Sequence, residues 1–144
     1  MVRGSGSFGI GGGAVTDDGP RGSVRFRNVV VEDVQGPGCY VYDKSADRAR
    51  FYFIQCTFRN VARRGGSPIV LAPRRPDVTA KHGGIGFYAC AIEDDRDRPA
   101  VVGGGKAAEL GIHEVWGRIK VRNPHGATID LGPKQTDVRL RIEE

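Results

Sequence analysis

Apolar and polar residues alternate along this chain in short runs, and the runs recur. FRNVVVEDV (26–34), FIQCTFRNV (53–61) and FYACAIEDD (87–95) superimpose without gaps. The aligned columns hold Phe26, Phe53 and Phe87; Val29, Cys56 and Cys90; Val31, Phe58 and Ile92; and Asp33, Asn60 and Asp94. Two residues ahead of the Phe column stand Val24, Phe51 and Ile85, on the same side of an extended strand, because side chains on a strand alternate with a period of two. The alternation predicts a strand, a corner at Asn28 or Gln55, and a second strand.

Each copy is followed by a turn rich in Gly, Pro or charge (QGPG, ARRGGS, DRDR) and then by a short apolar strand: CYVYD (39–43), PIVLA (68–72) and PAVV (99–102). A fourth copy places Trp116 in the Phe column, Ile119 under Cys90, Val121 under Ile92 and Asn123 under Asp94, followed by PHG and ATIDL (127–131). Glu114 then falls where Val24, Phe51 and Ile85 are apolar, so a one-residue shift or a bulge is expected in that copy. The Phe-column spacings of 27, 34 and 29 residues describe fixed strands joined by loops of variable length. Repeats of this period wind into solenoids in which each coil contacts only its neighbours. The expected fold is all-β: a parallel β-solenoid of about four to five coils. Residues 1–23 form a glycine-rich segment or a partial first coil (SFGIGGGAV), and 24–144 form the coils and a terminal strand, VRLRIEE.

The pattern V-x-F-x-N-V-x-V-E-D, followed by G-x-G and an apolar strand, resembles the right-handed parallel β-helix repeat of the pectate-lyase-like superfamily over about residues 24–131. That resemblance implies binding or cleavage of polysaccharide, acidic polysaccharide included, at an extracellular or cell-surface location, with calcium as the cofactor of many such lyases. Four to five coils are few for the superfamily. The expectation is therefore a C-terminal segment of a longer β-helix, or a homo-oligomer that covers the open end, since bare strand edges invite aggregation. The alternative reading is a non-catalytic structural or adhesive solenoid, or the C-terminal part of a larger polysaccharide lyase or glycoside hydrolase.

Composition narrows the partners. With 39% hydrophobic and 27% charged residues in 144, the chain suits one globular domain. No window approaches the roughly 20 apolar residues of a spanning helix, and the opening MVRGSGSFGIGGG lacks the apolar core of a signal peptide. The formal charge of +5 suits an anionic partner, but arginines repeatedly neighbour acids, as in EDDRDRP (93–99), which argues against nucleic acid.

The RIK of GRIKVRN (117–123) resembles a substrate-holding signature of polygalacturonases, yet the Gly-His-Gly stretch expected upstream is missing. Its place in the repeat makes Arg118 a corner, Ile119 an inward and Lys120 an outward residue of a strand. Cys39, Cys56 and Cys90 read as buried thiols, and His82, His113 and His125 have no metal-ligand spacing. Asp94, Asp95 and Asp97 are interleaved with Arg96 and Arg98, which would repel calcium.

The candidate binding site comes from stacking the turns. Arg63, Arg64, Asp95, Arg96, Asp97, Arg98 and His125 should form a ridge whose guanidinium and carboxylate groups can hold sugar hydroxyls or carboxylates. Tyr52 and Tyr88, outward on neighbouring coils, offer a stacking platform. A second stack of loops carries Arg74, Arg75, Asp77, Lys81, His82, Lys106 and Lys134. Neither the base and cation of a lyase nor the paired carboxylates of a hydrolase can be assembled from these residues alone.

Overall fold

The computed structural model describes residues 1–6, 9–14, 22–43, 49–72, 85–103, 112–132 and 135–144. Among them lie thirteen strands: β1 (Val2–Arg3), β2 (Ile10–Ala14), β3 (Gly22–Arg27), β4 (Val30–Glu32), β5 (Cys39–Asp43), β6 (Ala49–Ile54), β7 (Thr57–Arg59), β8 (Ile69–Ala72), β9 (Ile85–Glu93), β10 (Val101–Gly103), β11 (Ile112–Arg122), β12 (Ile129–Asp130) and β13 (Gln135–Glu143). No described residue is helical. Eight strands form a long sheet, with β1-β4-β7-β9-β11-β13 in one path and β3-β6-β9 joining it beside β4 and β7. The other five form a second sheet in the order β12-β10-β8-β5-β2. Every pairing is parallel, and neither sheet closes into a barrel.

The parallel register stacks equivalent residues of the repeat. Phe26 pairs with Phe53 and Phe53 with Phe87. Their rings lie 5.0 and 5.1 Å apart, 13° and 14° from parallel, and Phe53 and Phe87 are fully buried. Val31, Phe58, Ile92 and Val121 align in the same way. In the second sheet, Ile10, Cys39, Ile69, Val101 and Ile129 form the matching column. Together these columns make one apolar core, and its area-proportional burial is the main favourable term in folding. The N-terminal residues contribute a layer of their own, since β1 pairs with β4 and β2 with β5.

Corners divide β3 from β4 and β6 from β7. Asn28 and Gln55 stand there with φ of 56° and 53°, a left-handed conformation that reverses the pleat and to which Asn is well suited. The ladder continues through the corner: Asn28 N donates to Ile54 O at 2.9 Å and Gln55 N to Tyr88 O at 2.8 Å. Ala89 takes the same conformation within β9, at φ 50°.

The fourth copy departs from the sequence alignment. Gly117, not Trp116, lies opposite Phe87; Trp116 lies opposite Gly86, and Val115 opposite Ile85. A register shift between Gly117 and Ile119 then restores Ile119 opposite Cys90 and Val121 opposite Ile92. The physical reason is the column itself. This register puts Val115, rather than Glu114, on the apolar side, and an unpaired carboxylate there would be costly. Gly117 is required at the shift, since it has φ 113° and a Cβ would stand 1.9 Å from Phe87 O. Trp116 is thereby turned to the outward face. Ile119 is buried while Arg118 and Lys120 are exposed, so RIK is a strand segment.

The Phe stack yields a test of the register. Phe53→Asp sets an unpaired charge between two aromatic rings and is expected to destabilise the fold by more than about 4 kcal/mol. The expected circular-dichroism melt has no cooperative transition. A soluble variant with a cooperative melt near the wild-type temperature would contradict the assigned column.

Candidate functional site

The turns after the Phe-bearing strands do meet along one edge. Arg98 reaches back to the turn of the preceding copy and donates to the carbonyls of Val61, Ala62 and Gly66, each at 2.8 Å. The same guanidinium grips Asp94 with two bonds of 2.7 and 2.9 Å. The Arg98 side chain is 11% exposed and that of Asp94 4%. Arg96 donates to the Ala62 and Arg63 carbonyls at 3.0 Å, and Asn123 Nδ2 donates in turn to Arg96 O at 2.8 Å. These donors satisfy carbonyls that the tight 61–66 turn withdraws from the sheet ladder. Arg63, Arg64, Asp95, Asp97 and His125 lie exposed along the same edge. The ridge exists, but Arg96 and Arg98 within it act as staples between copies. Of the second loop stack, Arg74, Arg75, Asp77, Lys81, His82, Lys106 and Lys134 all lie outside the described residues.

A column of alternating charge runs beside this edge. Arg3, Glu32, Arg59, Glu93 and Arg122 follow one another on β1, β4, β7, β9 and β11. Glu32 is nearly buried; its Oε1 lies 2.6 Å from Arg3 Nη2, off the line of a hydrogen bond, and its Oε2 accepts from Arg59 Nε. Glu93 pairs with Arg122 at 3.1 Å, and Asn60 Nδ2 donates to Asp33 Oδ1 at 2.6 Å. Apart from Arg3, these groups, with Asp94 and Asp95, line a concavity of about 560 Å³. Opposite charges on adjacent strands favour this register over one that slips by a copy. Among the described residues, no three His, Cys, Asp or Glu side chains are grouped to hold a metal ion.

The outward face of the long sheet carries a different chemistry. Tyr52 and Tyr88 are neighbours there, with ring centroids 6.2 Å apart. Trp116 joins them: its ring meets Tyr52 edge-on at 6.1 Å, and its Nε1 donates to the Tyr88 hydroxyl at 2.6 Å. Tyr52 and Trp116 sit on strands separated by β9, and only Gly86 on the intervening strand lets them meet. A Cβ at Gly86 would stand 2.6 Å from Trp116 Nε1. Arg25 lies over Tyr52, its guanidinium carbon 5.8 Å from the ring centroid, as in a cation–π contact. A second concavity, of about 320 Å³, is lined by Arg25, Arg27, Tyr52, Ile54 and Tyr88. On the far side of the trio, Arg118 and Arg141 pair in register and are exposed.

Tyr52 and Tyr88 are thus brought together as the alternation expected, with Tyr88 44% exposed. Trp116, Arg25, Arg27 and Arg118 complete the face, and sequence reasoning missed them as site residues. The signal for Trp116 was Glu114, whose polarity marks the shifted register. The three cysteines are free and buried. Cys56 and Cys90 donate to the carbonyls of Phe26 and Phe53. Contact with the Cys56 sulfur and burial raise the Cys90 thiol, and burial raises Cys39, which keeps both protonated at neutral pH.

The two kinds of ridge arginine should separate on mutation. Arg98→Ala removes the donor to the Val61 and Gly66 carbonyls and strands a nearly buried carboxylate, and is expected to cost about 3 kcal/mol or more; Arg64→Ala, at an exposed position, should stay within about 0.5 kcal/mol. Chemical denaturation checks both, and equal effects would contradict the staple. No family model, curated protein or solved structure matches this chain.

Proposed function

We propose that the two parallel sheets are faces of a right-handed parallel β-helix of the pectate-lyase-like kind, and that this module binds polysaccharide, acidic chains by preference, outside the cytoplasm. Right-handed crossing is the general rule for parallel strands joined within a sheet. The observation that carries the functional reading is the outward trio Tyr52, Tyr88 and Trp116, set between Arg25 and Arg27 on one side and Arg118 and Arg141 on the other. Aromatic faces suit the apolar faces of sugar rings, and guanidinium groups bind carboxylates in bidentate fashion.

Dimensions support a polymer. From β3 to β13 the face crosses five strands, roughly 19 Å at about 4.8 Å per strand, enough for several sugar rings in a row. The trio is held before any ligand arrives, by the Trp116–Tyr88 hydrogen bond and by the gap at Gly86, which lowers the ordering cost of binding. Binding is favoured over cleavage because Glu32, Asp33, Glu93 and Asp94 are each held by Arg or Asn, whereas a hydrolase needs carboxylates available to act as acid and base.

The test is retention of the purified chain on immobilised polygalacturonate and alginate against a neutral glucan, with and without calcium. The chain has one tryptophan, so Trp116 emission reports occupancy of the face directly. Retention on the acidic polymers with a shift in emission is expected. Tyr88→Ala and Trp116→Ala should each weaken retention roughly tenfold through loss of one stacking surface, with unchanged melts. Absence of retention on every polymer, or full retention by the double variant, would overturn the reading.

A further inference from the structure

We propose that β13 is a self-association surface, through which two copies of the chain pair antiparallel about a two-fold axis. β13 is nine residues long, pairs with β11 along one edge, and stands at the end of its sheet. The backbone groups along its other edge form a template for a further strand. Its inward row also ends the core: Leu140 is 9% exposed, and Val138 and Ile142 are half-buried against the cluster. An added strand would cover all three.

Charge selects the partner and the geometry. Parallel head-to-tail stacking in the existing register would set β3 of the next copy on β13. The pairings that link Arg25 to Tyr52, Gly86, Trp116 and Arg139 put Arg25 and Arg139 in one row. Arg27 likewise falls in the row that ends, across the bulge, at Arg141. Head-to-tail contact therefore brings arginine against arginine twice, which opposes it. The outward residues of β13 read Arg139, Arg141, Glu143. Antiparallel pairing centred on Arg141 sets Arg139 of each copy against Glu143 of the other, and Leu140 against Ile142, twice each. Two unlike pairs and two apolar pairs stand against one like-charged contact, Arg141 with its own copy, and two contacts of Val138 with Glu144 at the ends of the pairing; Glu143, 3.5 Å from Arg118 of its own chain, bridges to Arg139 of the other from an exposed position. The strand is self-complementary under a two-fold axis, as an isologous interface requires, and the closed pair leaves no β13 edge for a filament to grow from.

Sedimentation equilibrium of the 144-residue chain, across a wide concentration range and at two salt concentrations, tests this. The expected species is a dimer of twice the 15.5 kDa chain mass, weaker at high salt. Arg139→Glu and Glu143→Arg should each raise the dissociation constant roughly tenfold by placing like charges across the axis. The double charge swap should restore the dimer. Circular dichroism is expected to be unchanged for all three variants, since both positions are exposed. A monomer at every concentration, a ladder of larger species, or a double variant no tighter than the singles would each overturn the proposal.

Discussion

The structure depends on one constraint: a parallel ladder sets each residue beside its equivalent on the next strand, at the sheet spacing of about 4.8 Å. Every column must therefore tolerate its own repetition. Phe26, Phe53 and Phe87 do so as offset ring stacks, a favourable geometry for aromatic pairs. A charged column that repeats one sign is disfavoured, and beside the turns the sign alternates from Arg3 through Glu32, Arg59 and Glu93 to Arg122; where Arg118 does stand opposite Arg141, Glu143 lies 3.5 Å from Arg118. The next position alternates Asp33, Asn60, Asp94 and Asn123, so that amides stand between carboxylates. The same stacking rule that builds the core thus dictates the surface.

The fourth copy shows how the rule produces a site. With Val115 in the inward column, Gly117 must take the place of a fourth Phe, and the tryptophan beside it turns outward. Gly86, directly opposite, leaves the space into which the indole leans. A local correction to keep the core apolar thereby assembles three aromatic residues on a face bordered by arginines. The turns follow a different logic: Arg96 and Arg98 spend their donors on carbonyls of the neighbouring turn, and the edge is fastened rather than left open for a ligand.

Much of the fold was legible because columns repeat. The positions of Phe53, Phe58, Cys90 and Ile92, and the apolar strands that form the second sheet, follow from alignment of the chain on itself. Trp116 was misplaced because an aromatic residue fits a Phe column by type, and only Glu114 two residues earlier argued otherwise. The ridge arginines were placed on the right edge, but their orientation was not readable. Whether a guanidinium meets solvent or a carbonyl depends on the turn's backbone path, here set by the left-handed Ala62 at φ 50° and by Gly65 and Gly66. Sequence spacing carries no record of that path.

The central claim is the residue-on-residue stack with a shifted fourth copy, and nuclear Overhauser contacts among aromatic protons test it most directly. Contacts from the Phe53 ring to both Phe26 and Phe87, and from Phe87 to the Gly117 α-protons, are the predicted result. Contacts between the Phe87 ring and the Trp116 indole in place of Gly117, or no contact of Phe53 with either phenylalanine, would contradict it.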